Sequence, residues 1–154
     1  MTPRTATAST RQPSAAAPSV RAAATAAGQG DLTPMGRLEA LCDPGSLRLM
    51  RTAVLSPTLG DRATPGDGVL AGVGTVGGRS VAVFSEDPAL LGGSLGARHA
   101  ETIVRLLEMA GDAGMPVVGF ISSAGARLQE GLEALAGYGR IFAALTKLSG
   151  QVPL

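Results

Sequence analysis

Sulfur and aromatic side chains are scarce: the 154 residues include one cysteine, no tryptophan, one tyrosine and three phenylalanines. A lone thiol, Cys42, excludes an internal disulfide and any zinc site built from several cysteines, and it fits a reducing cytoplasm. Beside Asp43-Pro44-Gly45 it reads as a small packed residue. Runs of about 18 uncharged apolar residues are also missing, which predicts a soluble chain without a membrane span. No acid occurs before Asp31. Met1 to Gly30 consists mainly of Ala, Thr, Ser and Pro, with Arg4, Arg11 and Arg21 as its charges. Such a stretch offers too little apolar surface to offset a backbone ordering cost of about 1–2 kcal/mol per residue, so residues 1–30 are expected to form a disordered tail. Arginines among small hydroxyl residues also suit an organellar transit peptide, but no amphipathic stripe accompanies them and the tail is the preferred reading. Residues 31–154 carry ten bases against twelve acids, a net charge of −2, and no basic face for nucleic acid is implied.

What is present is a succession of short elements. Leu38 to Leu41 suggests a helix stopped by Asp43-Pro44-Gly45. Leu47 to Leu55 is an apolar segment of open type, and Ser56 to Asp67 collects proline, glycine and charge as a surface loop. Val69 to Val76 and Ser80 to Ser85 are β-branched and apolar, with Gly77-Gly78-Arg79 between them, which predicts a hairpin. After Leu91-Gly92-Gly93-Ser94-Leu95-Gly96, the residues Ala100, Ile103, Val104, Leu107 and Ala110 recur at helical spacing until Met115-Pro116. Pro116 to Ile121 reads as a strand buried on both faces. Ser122-Ser123-Ala124-Gly125-Ala126 then opens a second helix with Leu128, Leu132, Leu135, Ala136, Phe142 and Leu145 as its apolar set. A hairpin, a helix, a strand and a helix are few for a self-sufficient α/β domain, so an incomplete sheet is expected.

Several motifs invite a chemical reading. Gly72, Gly74 and Gly77 spell G-x-G-x-x-G, but a dinucleotide site needs a helix after that strand, and here a second strand follows. The later glycine turns, 91–96 and 122–126, each lead into a helix, where free N–H groups suit a phosphate or a developing oxyanion. A plain tight connection explains either turn alone equally well. His99 has no Ser or Cys partner at a motif spacing and reads as a surface or packing residue before a catalytic base. Arg127 and Glu130, three apart at the expected helix start, either pair with each other or orient an anionic ligand.

These residues carry a resemblance. Glu86-Asp87, Leu91-Gly92-Gly93-Ser94-Leu95-Gly96 and His99-Ala100-Glu101 resemble the acyl-CoA carboxyltransferase subunits, a family that includes the propionyl-CoA carboxylase β chain. Gly119 to Gly131 is similar to that family's most recognisable stretch, and the likeness runs on through Tyr138-Gly139 and Ile141-Phe142 to Ser149-Gly150. Upstream, Asp43-Pro44-Gly45-Ser46 matches a turn of the family. Ser122-Ser123-Ala124 departs from the family's acid, serine and glycine, and Thr102 stands where lysine is common. The single cysteine also sets the chain apart from relatives that carry a four-cysteine zinc ribbon.

The resemblance implies an α/β fold, the crotonase/ClpP-like β-hairpin-α-β-α portion of a carboxyltransferase N-terminal domain, incomplete and spanning residues 31–154. It implies transfer of CO2 from carboxybiotin, held on a partner carrier domain, to the α-carbon of an acyl-CoA, with no metal in this chain. Backbone N–H groups at Gly125 and Ala126 would meet the thioester oxygen. Gly92, Gly93, Ser94, Gly96, Arg127, Gln129, Glu130 and Gly131 would line the substrate. The implied partners are acyl-CoA, a biotin carboxylase or biotin carrier subunit, and a second copy or complementing carboxyltransferase half. A malonate decarboxylase-type subunit and a truncated, non-catalytic remnant are the alternatives.

Overall fold

Helix α1 (Pro34–Leu41) starts at Thr33, whose hydroxyl accepts the Gly36 N–H, and places Pro34 in the first turn, where its missing N–H costs nothing. The computed structural model describes residues 33–154, so the predicted tail lies outside the described residues. Asp43-Pro44-Gly45 ends α1 as expected and has a second task. The Asp43 carboxylate accepts the Thr75 hydroxyl at 2.6 Å and the N–H groups of Gly77 and Gly78 at 2.9 and 2.8 Å. These bonds, with the Thr75 hydroxyl foremost, hold its pKa below the ordinary value of 3.8.

Strands β1 (Arg48–Met50), β2 (Val69–Val76), β3 (Arg79–Glu86) and β4 (Val117–Phe120) form one sheet in that order. The first two pairings are antiparallel and β3–β4 is parallel. The β2–β3 hairpin turns on Gly77 and Gly78, both at positive φ, as the sequence predicts. The first two G-x-G-x-x-G glycines, Gly72 and Gly74, are close-packing positions and Gly77 is the hairpin turn, not a nucleotide cradle. A Cβ at Gly72 would overlap the Arg48 carbonyl, and one at Gly74 would lie 2.6 Å from Cys42 Sγ. Cys42 is buried there, and burial followed by the Asp43 charge raises its thiol pKa.

The central strand β3 is covered on both faces. Val81 and Val83 pack with Leu38 and Cys42 on the α1 side. Ala82 and Phe84 belong to the larger core, with Ile103, Leu106, Leu107 and Ala110 of α2 (Ala97–Ala113) and Ile141 and Leu148 of α3 (Leu132–Leu148). Gly114 closes α2 in the left-handed conformation.

Three expectations change. Strand β4 is the sheet edge and its cover is partial: Val117 is buried in the larger core and Val118 and Phe120 pack half-buried on the α1 side, but Gly119 is exposed. The 56–67 loop is superficial only in part, because Ser56 and Asp67 at its ends and Leu59 within it are buried. Helix α3 starts at Leu132, and most of its predicted apolar set faces outward: Leu132 is 81% exposed, Leu135 57% and Phe142 61%, with Leu128 before it at 90%, while Leu145 packs half-buried against the core as expected. The inward stripe is Ala134, Gly137, Ile141 and Leu148. Small residues permit the close α2–α3 approach, since a Cβ on Gly137 would lie 2.7 Å from that of Ala100.

Candidate functional site

The two glycine turns that the sequence singles out meet in space. The Leu95 N–H donates to the Gly125 carbonyl at 2.9 Å, the Arg127 N–H to the Leu95 carbonyl at 2.9 Å, and the Ala124 N–H to the Gly92 carbonyl at 3.0 Å. Leu95 and Ala126 thus form a parallel bridge that zips the segment before α2 to the segment after β4. Gly93 makes this contact possible, because at φ +74° any Cβ would overlap the Ser122 carbonyl oxygen.

Counting backbone donors along 122–127 shows what remains free. Ser122 donates to Glu86 Oε2 at 2.7 Å, and Gly125 donates to the Ser123 hydroxyl at 3.2 Å. Ala124 and Arg127 donate across the bridge. The N–H groups of Ser123 and Ala126 have no partner among the described residues; that of Ser123 is at an exposed residue, and bridge geometry turns that of Ala126 away from Leu95. Ala126 and Gly125 are half-buried. A half-buried N–H without a partner is a donor prepared for an external oxygen.

Beneath the turns lies a buried charge cluster. Arg127 is 1% exposed and projects from an extended residue ahead of a short 3-10 turn, Leu128–Glu130, and not from the first turn of α3. Its Nη1 donates to Asp67 Oδ1 at 2.5 Å and to Glu130 Oε1 at 2.8 Å, and its Nη2 donates to the carbonyls of Ser94 and Asp67 at 3.0 and 3.2 Å. The remaining carboxylate oxygens cap α2, whose N-cap, Gly96, has no side chain to do so. Glu130 Oε2 accepts the Ala97 N–H at 2.6 Å and Asp67 Oδ2 accepts the His99 N–H at 2.9 Å. The surplus negative charge therefore sits at the positive end of α2. Burial pushes the Glu130 pKa up, but hydrogen bonds from Ala97, Ser56 and Arg127 and the Arg127 charge prevail and hold it below 4.5.

Of the residues that the sequence nominates, the structure places Gly92, Gly93, Ser94, Gly96, Gly125 and Ala126 in the paired turns and Arg127 and Glu130 in the cluster below. Gly92, Gln129 and Gly131 are exposed, while Gly93, Ser94 and Gly96 are buried. A Cβ on Gly96 would strike the Arg127 guanidinium, which ties turn and cluster together. His99 is fully buried and packs inside the core. Sequence reasoning missed Asp67, Ser56 and Glu86 as parts of this assembly. For Asp67 a signal existed: Gly66-Asp67-Gly68 holds an acid at φ +52° between two glycines.

Comparison with known proteins matches this geometry to one family. Residues 26–154 match the carboxyl transferase domain model. The chain is 42% identical over 130 residues to the propionyl-CoA carboxylase beta chain of Roseobacter denitrificans, covering 82% of this chain and 26% of that protein. It superposes with a TM-score of 0.74 and 39% identity on transcarboxylase 12S, whose structure is a hexamer assembly with methylmalonyl-coenzyme A and methylmalonic acid bound, covering 84% of this chain and 26% of that one. A Pseudomonas malonate decarboxylase hetero-tetramer in complex with malonate aligns with a TM-score of 0.72 and 30% identity, over 76% of this chain and 46% of that one. The chain spans about a quarter of the length of the curated relatives it matches, and the solved neighbours share its crotonase-type α/β arrangement. Among the described residues no helix is long and apolar enough to cross a membrane.

Proposed function

The chain belongs to the carboxyl transferase domain family, and from that premise we propose that it forms the thioester-holding part of an acyl-CoA carboxyltransferase. The observation that carries this reading is the half-buried Ala126 N–H, which has no partner among the described residues, while the N–H groups of Ser122, Ala124, Gly125 and Arg127 are engaged and that of Ser123 is exposed. In the reaction the acyl-CoA loses an α-proton and its thioester oxygen gains negative charge. A fixed N–H aimed at that oxygen stabilises the charge without reorganisation, a contribution of about 3–4 kcal/mol per donor in comparable sites. Gly125 leaves the approach open, since nothing lies within 4 Å of where its Cβ would be. Gly92, Gln129 and Gly131 are exposed and available to the substrate. Gly93, Ser94, Gly96, Arg127 and Glu130 act by fixing the paired turns.

The carboxyl donor is carboxybiotin on a partner carrier domain, supplied with CO2 by a biotin carboxylase. The free donor found here suits a thioester oxygen, and the biotin ring is assigned no contact among the described residues. The assembly includes a second copy or a complementing carboxyltransferase half, in the cytoplasm. A decarboxylase subunit is the second reading, favoured by the malonate decarboxylase likeness, though at 30% identity against 42% for the carboxylase beta chain.

Hydrogen exchange on the full chain, with and without a millimolar acyl-CoA thioester, tests the proposal. Slower exchange at Gly125 and Ala126 with thioester, but not with free CoA, is the expected result. Unchanged exchange there, while the β2–β3 hairpin stays protected, would overturn it.

A further inference from the structure

One buried pair behind the turn has no task in the reading above. His99 and Glu86 are both buried, with side chains 0% and 5% exposed, and His99 Nε2 lies 3.6 Å from Glu86 Oε1. Neither ring nitrogen of His99 has a hydrogen-bond partner among the described residues. A fully buried imidazole is costly in that state, and the carboxylate beside it is the partner within reach of a shift of a few tenths of an ångström. Glu86 faces two ways. Its Oε2 accepts the Ser122 N–H at 2.7 Å, at the point where the chain leaves β4 and enters the turn. Ser122 is also the residue whose carbonyl lies against Gly93, where the two turns are closest.

We propose that Glu86 is the positioning residue of the 122–126 turn and that His99, donating from Nε2 to Glu86 Oε1, holds that carboxylate in place. One oxygen of Glu86 fixes the first N–H of the turn, and the other is anchored to α2 through His99. The direction of the Ala126 N–H then depends on a side chain at the end of β3 and not on the turn alone. No substrate touches either residue, so their effect is on geometry. The inference deepens the reading of 122–126 as the thioester turn and rests on it for its functional meaning, but the contact itself is measured without any thioester.

The test compares hydrogen exchange of the full chain with that of Glu86→Ala, Glu86→Gln and His99→Phe, using residues 72–83 of the hairpin as the fold control. In Glu86→Ala, exchange at Ser122 to Gly125 is expected to rise about tenfold, the size that loss of one hydrogen bond to a charged group produces. Glu86→Gln keeps an acceptor oxygen and should return Ser122 to within about threefold of the parent, a rescue that a packing role would not show. His99→Phe keeps the ring volume, loses the donor and should speed exchange at the same amides. In the parent, the His99 15N spectrum should show the Nε2-protonated tautomer, with an Nε2 shift that moves in Glu86→Gln. Turn exchange within about twofold of the parent in Glu86→Ala, with the hairpin intact, would overturn the proposal. Should Glu86→Ala lose hairpin protection as well, His99→Phe decides: faster exchange confined to the turn supports the proposal, and unchanged exchange there overturns it. Failure of thioester binding in the parent would remove the proposed function and leave this comparison standing.

Discussion

Asp67 and Arg127 lie sixty residues apart in the chain and form an ion pair with both side chains fully buried. The pair joins the loop before the hairpin to the segment after β4, and through Glu130 and the Ser94 carbonyl it reaches the start of α2. Removing one partner of a buried pair strands the other charge at a cost of about 3–5 kcal/mol. Arg127→Met should therefore destabilise the chain by that amount in urea unfolding, since it leaves two carboxylates uncompensated. Arg127→Lys keeps the charge, but a single ammonium cannot reproduce a guanidinium that reaches two carboxylates and two carbonyls, so an intermediate loss is expected. A change below about 1 kcal/mol in Arg127→Met would contradict the structural role of the cluster.

Glu130 of the cluster and Asp43 after α1 together set an acid limit. The folded-state pKa of Glu130 lies below its ordinary 4.5, and that of Asp43 lies below 3.8. With depressed folded values, the unfolded chain binds more protons in this range, so stability rises with pH there. The stabilisation is fully present above the ordinary values and is lost as pH falls through the lower folded ones. Melting temperature should hold steady from about pH 7 to 5 and fall below about pH 4.5. Glu130→Gln should melt lower than the parent at neutral pH and show a shallower acid decline. An equally steep decline in that variant would assign the acid limit to other carboxylates.

Much of this was legible because local chemistry decided it. Gly77-Gly78 between two β-branched runs fixes the hairpin, and Asp43-Pro44-Gly45 ends α1, although the helix begins at Pro34 and not at the expected Leu38. The glycine turns were visible as turns, but their pairing depends on a backbone approach at Gly93 that no pattern encodes. The apolar set of helix α3 is largely on the wrong face because large apolar residues dominate a periodicity argument, whereas the small residues Ala134 and Gly137 are buried, Gly137 against Ala100, and leave Leu132 and Phe142 outside. Arg127 and Glu130 showed an i, i+3 spacing, yet their main partners, Asp67, Ser56 and the α2 N-terminus, are remote in sequence and invisible to a local reading.

The two turns should respond differently to the same substitution. Gly93→Ala meets both a positive φ and the Ser122 carbonyl, so the turns must separate. Gly125→Ala meets a positive φ of 103° but open space, and incurs only the backbone strain of about 1–3 kcal/mol. Thermal unfolding should rank Gly93→Ala well below Gly125→Ala. Fast exchange at the amides of the Leu95–Ala126 bridge, those of Leu95 and Arg127, should appear in the first and not in the second. Equal melting temperatures would mean that the Gly93 approach relaxes easily.

The outward face of α3 yields the opposite expectation. Leu128, Leu132, Leu135 and Phe142 are more than half exposed and make little of the core. Replacing an exposed side chain away from packing usually changes stability by less than about 0.5 kcal/mol. Leu132→Lys and Phe142→Lys should therefore leave the urea midpoint of the chain in place while reducing its binding of a hydrophobic dye, because contiguous exposed apolar surface is what such dyes report. A large loss of stability in either variant would show that these side chains are buried by the chain in solution, and the inward stripe of Ala134, Gly137, Ile141 and Leu148 would then be the wrong face of the helix.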